Sequence, residues 1–468
     1  MLVRMGNVTT RTRSSASRLK TNVTSPRPSV AERKAKGKEL RDRLARRDQS
    51  KCVLEPRRDD FVDKLKAAVA GRRADLLPIR WGRMAASPFG FYRGATALMA
   101  ADVGPLPTCG LEVQVCGDAH LLNLGAYAAP DGHLVFDLND FDETCRGPFE
   151  WDLKRLAASL VVGGRYAGHK DITCAGAVRS MVQAYRQDLG RFAKMRVLEL
   201  ARYELTPRFA KKPLAPIFRQ AARNTPQQLL KKATTPDAEG FARFQNKPPL
   251  LTHLKAAEAG AVLASLIAYR STLGPGRQQV MDAYKPRDLA FKVVGTGSVG
   301  VDVYLILLYG NGANDPLFLQ IKGEDPSCWK PYLKHANGYS KAYPHQGRRT
   351  AEGQFRTQTV VDPFLGWTQI GGKDFLVRQW SDHKASVNVS MLADGAIHNY
   401  AVFCGEVLAK AHARTGDAAM LAGYCGTSDR LDEAMATFAI AYADQTEADH
   451  ARLRKAIKDG KLRAIEGI

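Results

Sequence analysis

The sequence lacks the features that would anchor, staple or metallate it. No run reaches the roughly 18 apolar residues of a membrane-spanning helix, and the most apolar windows, Ala259 to Tyr269 and Val303 to Leu308, are core-sized. The eight cysteines contain no C-x-x-C pair and no zinc-ligand spacing with histidine, which points to a reducing, cytoplasmic compartment. No internal repeat is present. Met1 to Val30 has no acidic residue and no apolar core, so it does not read as a secretory signal.

What remains is globular material with a positive excess. The chain has 468 residues, 45% of them hydrophobic, and a formal net charge of +22. Residues 1–50 carry +10 of that charge, which predicts a basic, disordered arm over residues 1–54 that meets nucleic acid or acidic partners only electrostatically. Glu32 to Arg47 alternates charges at helical spacing, and Asp59 to Ala70 predicts a short amphipathic helix with Phe61, Leu65 and Val69 on one face. Folded sequence is expected from near residue 55. Leu76 to Asp102 is dense in aromatic and small residues and reads as core packing with Arg80, Arg83 and Arg93 at the surface.

The most informative stretch follows. Leu111 to Val115 predicts a buried strand, Cys116 to Gly125 a loop (CGDAHLLNLG), Ala129 to Gly132 a turn, and HLVFDLND a second strand ending at Asp140-Phe141-Asp142. Two strands joined by a turn would bring Asp118, Asn123 and Asp140 to one end of a hairpin. Phosphoryl transfer needs that set: a carboxylate to orient or deprotonate the attacking hydroxyl, and an amide with a second carboxylate to hold Mg²⁺ against phosphates.

Cys116 to Asn123 resembles the H-G-D-x-H-x-x-N catalytic loop of aminoglycoside and choline kinases, and Asn139 to Asp142 resembles their metal-binding loop. Glu150 to Ala157 is similar to the helix that follows in that superfamily. The string from Arg80 to Leu160, opening R-W-G-R-M-x-x-S-P-F-x-F-Y-R-G, resembles a bacterial family of uncharacterised proteins placed with the kinase-like superfamily, and the likeness continues through most of residues 55–450. The resemblance implies a two-lobed α+β fold, ATP and Mg²⁺ as cofactors, Asp118 as base, His120 near the acceptor, and Asn123 and Asp140 as metal ligands. One departure is Cys116, where the kinases usually carry histidine; this bears on substrate placement more than on phosphate chemistry.

Neither a glycine-rich hairpin nor a strand lysine lies upstream of Cys116. Both lie downstream. Asp288 to Val294 reads as a strand, Gly295 to Gly300 (GTGSVG) as a turn, Val301 to Tyr309 as the returning strand and Leu317 to Lys322 as a third. Because this G-x-G-x-x-G joins strand to strand, it predicts a phosphate-covering turn built on Gly295, Gly297, Ser298 and Gly300, not a dinucleotide-binding unit. Lys322 takes the place of the phosphate-contacting lysine, with Glu352, in a helix-compatible stretch from Gly347 to Val360, as its expected partner. Asp362 to Trp367 and Asp374 to Trp380 complete a five-stranded lobe, with Asp382 and Lys384 just beyond. Ala396 to Arg414 carries a helical apolar stripe and is similar to the helix that leads into the kinase catalytic loop, yet His412 lies 294 residues after Asp118.

A circular permutation accounts for this order. The expected organisation is an arm over 1–54, the first part of a large lobe over 55–201, a surface-running connector over 202–284, a small nucleotide-binding lobe over 285–385 and closing helices over 386–468, with two helices between Asp429 and Leu462. The expected activity is phosphoryl transfer from ATP to an unidentified hydroxyl-bearing substrate, with no membrane partner. An inactive nucleotide-binding scaffold, an adenylyl transferase on the same fold and a basic nucleic-acid-binding protein remain alternatives.

Overall fold

A computed structural model describes residues 27–52, 60–207, 214–239, 241–334, 336–380, 383–392 and 395–467. The architecture is α+β, with a helical body and an antiparallel sheet meeting along a cleft.

The helical body contains the loop segment. Strand β1 (Glu112–Val115) leads into the loop, β2 (Leu124–Ala128) and β3 (Leu134–Leu138) form a hairpin, and β4 (Cys145–Pro148) returns to pair with β1. The expected hairpin therefore has a different first strand. The Leu124–Ala128 run, read as loop and turn from its small residues, pairs with β3 because both its faces are covered by core side chains. Behind these strands pack the helices Phe149–Tyr166, Asp171–Phe192, Ala396–Thr415 and Arg430–Lys458, whose buried residues form one continuous core. The last is a single helix, not two: Leu431, Met435, Phe438, Leu453 and Ala456 keep one side of it buried throughout.

The segment expected to be a surface connector is packed. The helix Leu214–Arg223 buries Leu214, Ile217 and Phe218 in the helical body. Strands β5 (Thr234–Pro236) and β6 (Ala242–Phe244) form a small hairpin, and β7 (Leu251–His253) joins the main sheet. That sheet continues with β8 (Lys285–Lys292), β9 (Val303–Tyr309), β10 (Pro316–Gly323), β11 (Gly366–Ile370) and β12 (Lys373–Gln379), in the order β11-β12-β10-β9-β8-β7, with every neighbouring pair antiparallel. A two-residue strand, β13 (Ala385–Ser386), returns to β2.

Both faces of the sheet are covered, which is why β9 reads as an unbroken apolar run. Tyr304, Ile306 and Leu308 face one core with Val262 and Tyr269 of the helix Ala256–Ser271. Leu305, Leu307 and Tyr309 face another with Ala233 and Phe244. Among the described residues no helix is long and apolar enough to cross a membrane, and no disulfide links the eight cysteines.

The basic arm departs from expectation. Residues 1–26, 53 and 54 lie outside the described residues, but Val30–Glu39 is a helix with a Ser29/Glu32 capping box, docked on the helix Ala418–Cys425. Its positive charges have local partners: Arg33 pairs with Asp417 at 2.7 Å, Arg41 donates to the carbonyls of Gly423 and Tyr424, and Arg46 donates to that of Cys425. Arg41 and Arg46 thus cap the carbonyl end of the neighbouring helix, and Arg33 pairs with the carboxylate at its start.

The docking is close enough that only glycine fits where the helices touch. A Cβ on Gly37 would lie 2.0 Å from the Met420 carbonyl oxygen. Gly37→Ala is expected to lower stability in urea unfolding by about 1–3 kcal/mol, as overpacking does; an unchanged midpoint would show that the helix is not seated there.

Candidate functional site

The loop Cys116–Asn123 is held from behind by a buried carboxylate. Asp152, on the helix Phe149–Tyr166, accepts from the backbone N–H of Cys116 at 2.8 Å and of Gly117 at 2.9 Å. His412 Nε2 lies 3.4 Å from the same carboxylate, and its Nδ1 lies 2.8 Å from the Tyr185 hydroxyl. Tyr400 donates to the Leu121 carbonyl, and Trp329, stacked on Trp151 at 4.4 Å, donates Nε1–H to that of Gly117. Gly117 adopts φ 79°, and a Cβ there would meet the Glu143 carbonyl oxygen at 2.2 Å, so the loop requires glycine at this point.

The loop presents Asp118, His120 and Asn123 to a cleft of about 450 Å³ that Asp140, Asp142, Glu143, Glu324 and the turn from Gly295 to Ser298 also line. Asp118 Oδ1 is held at 2.8 Å by Arg155, a fully buried arginine that also donates to the Tyr92 carbonyl and to Thr96. Its Oδ2 lies 3.8 Å from His120 Nε2. Asn123 donates Nδ2–H to the Asp118 carbonyl at 2.9 Å, leaving its amide oxygen for the cleft. His120 Nδ1 accepts from Leu122 N–H, and burial pushes the imidazole down to about 3. It is a neutral ring with its proton on Nε2.

Asp140 and Asp142 follow β3. Burial, reinforced by the neighbouring Asp142 charge, raises Asp140 to about 6. Asp142 is held well below the usual carboxylate range by Lys322. Lys322, near the end of β10, pairs with Asp142 Oδ2, which also accepts from Ser298 at 3.4 Å. Asp142 Oδ1 and Glu324 Oε1 are buried without a hydrogen-bond partner.

Glu352 is not the partner of Lys322. The helix Gln346–Thr357 forms as expected, but Glu352 sits on its outer side, paired with Arg348 at 2.7 Å and Arg356 at 3.1 Å. The residue this helix turns inward is Thr350, which donates to Glu324 at 2.9 Å, while Arg349 donates to the carbonyls of Asp142, Thr144 and Asp325. Helical spacing fixes the face, and in G-R-R-T-A-E-G the buried stripe runs through Arg349, Thr350 and Gly353.

The turn after β8 has the expected glycine chemistry in part. Gly295 at φ 57° and Gly300 at φ 89° occupy the left-handed region; Gly297 does not, and is needed instead for close approach, a Cβ there lying 3.3 Å from the Arg93 carbonyl oxygen. The carbonyls of the turn are taken by arginines from the aromatic-rich segment. Arg83 donates to Gly295, Arg80 to Thr296 at 3.0 Å and to Gly297, and Arg72 to Gly297 at 2.5 Å. Arg80 is buried, so it is not the surface arginine expected. With its carbonyls engaged on that side, the turn has its N–H groups left for an anion.

Lys384 lies outside this cleft, in a smaller depression with Tyr127, Asp362 and Gln379, where burial lowers its pKa to about 7. Asp382 is outside the described residues. The sequence reading missed Arg72, Arg155 and Glu143, and set Glu324 aside as too near Lys322 in sequence to act as its partner. Arg80 and Arg83, three residues apart within an aromatic segment, were the available signal that a charged face is folded inward.

The fold and this cleft define an α+β protein that gathers carboxylates, an amide and arginines around one cavity. Residues 72–456 match the family described as uncharacterized protein conserved in bacteria (DUF2252), and the chain belongs to that family. No curated protein and no solved structure matches the chain.

The raised pKa of Asp140 has a stability consequence. The folded protein keeps this proton up to about pH 6 whereas the unfolded chain releases it near 4, so ionisation of Asp140 costs stability above that window. In metal-free buffer Asp140→Asn is expected to stabilise the protein at pH 7.5 by about 3 kcal/mol. The gain should shrink as pH falls through 6 and vanish near 4 in thermal unfolding; a pH-independent difference would contradict the assignment.

Proposed function

We propose that this protein is an ATP- and Mg²⁺-dependent phosphotransferase on a kinase-like, circularly permuted two-lobed fold, acting on an unidentified hydroxyl-bearing substrate. The observation that carries this reading is convergence. Three segments resembling a kinase catalytic loop, metal loop and glycine-rich turn, with Lys322 beside them, are far apart in sequence and in permuted order, yet line or border one cleft.

The donor set fits Mg²⁺ bound with a nucleotide. Among the described residues no group of three His, Cys, Asp or Glu side chains is arranged to hold a metal ion alone. Mg²⁺ characteristically takes one or two carboxylates and completes its shell with phosphate oxygens and water. Asp140 and the Asn123 amide oxygen would hold it, and the buried Oδ1 of Asp142 is a further acceptor beside them without a donor. When bound, Mg²⁺ neutralises charge on the phosphate oxygens.

The chain's own residues then divide the work. Lys322, kept in place by Asp142, extends its ammonium toward the phosphates. The turn from Gly295 to Gly300 offers backbone N–H groups, with Ser298 beside them. Arg155 fixes one oxygen of Asp118, so Oδ2 is the atom left to accept the hydrogen bond of an incoming hydroxyl. His120, neutral and donating from Nε2, steadies that oxygen or the acceptor. The helix Ala396–Thr415 supports the loop through His412, beside the Asp152 carboxylate, although it follows the loop in the chain, the arrangement a permutation would keep.

Thermal unfolding with Mg²⁺ alone and with Mg²⁺-ATP tests nucleotide binding. At about a hundredfold excess over Kd, linkage gives roughly 2.7 kcal/mol of stabilisation and a shift of a few degrees, lost in Asp140→Ala. No shift in wild type would overturn the reading. Asp118→Ala is expected to retain the shift but lower turnover by about 10²–10⁴; wild-type turnover would remove that role, and release of pyrophosphate in place of ADP would redirect the reaction to adenylyl transfer.

A further inference from the structure

Arg93 differs from the other arginines around the cleft. Arg72, Arg80 and Arg83 are tied to carbonyls of the glycine turn, Arg155 to Asp118, Lys322 to Asp142, and Arg349 to three carbonyls. Arg93 lines the same cleft, but its Nε is buried without a partner, and no hydrogen bond or ion pair ties its guanidinium to another described residue. Its charge is felt by Asp118 and Asp140, the carboxylates on either side of the cleft floor.

The backbone beneath it is fixed with unusual thoroughness. Arg93 sits near the end of the helix Pro88–Gly94, whose start is capped by Ser87 accepting from Gly90 N–H at 3.0 Å. On one side the Tyr92 carbonyl accepts from Arg155, which also lies over the Tyr92 ring at 4.1 Å; on the other, the Gly94 carbonyl accepts from Arg80 at 2.7 Å. The Arg93 carbonyl itself abuts Gly297 of the glycine turn. Thus the two arginines that position Asp118 and the turn also hold the residues flanking Arg93. A half-buried guanidinium with no partner is costly to keep, and unpaired donors at the wall of a cleft call for an anion.

We propose that Arg93 is a phosphoryl clamp supplied by the chain itself, donating its guanidinium fork to the peripheral oxygens of the phosphoryl group as it passes between nucleotide and acceptor. This rests on the phosphotransferase reading and assigns that site a further residue. In the step, the bond from the γ-phosphorus to the bridging oxygen breaks and its electron pair stays on ADP, while the acceptor oxygen forms the new P–O bond and releases its proton toward Asp118 or solvent. Arg93 exchanges no proton or electron. It balances charge that spreads onto the three peripheral oxygens, a role in which an arginine is worth about 10³–10⁵ in rate.

The test compares ADP–Mg²⁺ with ADP–Mg²⁺–aluminium fluoride, a mimic of the phosphoryl group in transfer, on the full-length chain as wild type, Arg93→Lys and Arg93→Gln. In wild type, aluminium fluoride is expected to tighten ADP binding by about 10²-fold or more. Arg93→Gln should bind ADP within about twofold of wild type and lose that tightening, and Arg93→Lys, which keeps charge without the planar fork, should recover only part of it. The unliganded Arg93→Gln protein should unfold no lower than wild type, because an unpaired cation has been removed; a residue with only a packing role would lower it. Full tightening in Arg93→Gln, equal loss of ADP and mimic affinity, or no tightening in wild type would each overturn the clamp while leaving nucleotide binding intact. Failure of wild type to bind ADP at all would instead remove the phosphotransferase reading, and the clamp with it.

Discussion

The ion pair between Lys322 and Asp142 is the interaction on which the rest of the structure depends. Lys322 lies near the end of a strand buried along both faces, and Asp142 lies in the turn that follows the β2–β3 hairpin of the helical body. Each side chain gives up water for the other, and removing one would leave a buried charge uncompensated, at a cost of about 3–5 kcal/mol. Arg349 reinforces the junction by donating to carbonyls on both sides of it, those of Asp142 and Thr144 in the body and of Asp325 beyond β10. The sheet is thereby held to the loop segment at one charged point, and the cleft opens beside it.

Once that pair is made, the remaining charges are unevenly satisfied, and the unevenness is informative. Arg72, Arg80 and Arg83 are spent on backbone carbonyls, fixing the glycine turn from outside. The carboxylates facing them are not all spent: Asp140 retains its proton to about pH 6, and single oxygens of Asp142 and Glu324 are buried without partners. A cleft that leaves both anionic oxygens and one guanidinium unsatisfied is shaped for a ligand carrying charges of both signs, as a metal-bound phosphate does. Stability is withheld here and supplied by the two apolar cores that flank the sheet.

Legibility followed periodicity and ran out where partners are distant in sequence. Strands β8, β9, β10 and β12 and the helix over 396–415 could be read from their apolar patterns, and the turn from Gly295 to Gly300 was correctly placed between strands; the run read as Asp362 to Trp367 is mostly turn, and the strand there, β11, begins only at Gly366. Strand β7 was not, because three residues carry no period. The Leu124–Ala128 strand was hidden by glycine and alanine that are poor strand formers in isolation but pack well in a covered sheet. Motif spacing named Asp118, Asn123, Asp140 and Lys322, which the fold brings into or beside one cleft, whereas the choice of Glu352 as partner of Lys322 failed because the partner of a buried lysine is set by which helix face turns inward. Arg72, Arg80, Arg83, Arg41 and Arg46 were invisible as structural residues: charge composition reports their number, and only the fold reports that they reach carbonyls more than two hundred residues away.

The central claim, that this cleft binds a metal-bound nucleotide with its phosphates under the glycine turn, is tested most directly by a crystal structure with Mn²⁺ and a non-hydrolysable ATP analogue, locating the metal by its anomalous signal. The account predicts one metal position at Asp140 and Asn123, with β- and γ-phosphate oxygens on it and the backbone N–H groups of Gly295 to Gly300 above them. Nucleotide bound elsewhere, or a metal held away from Asp140, would contradict it.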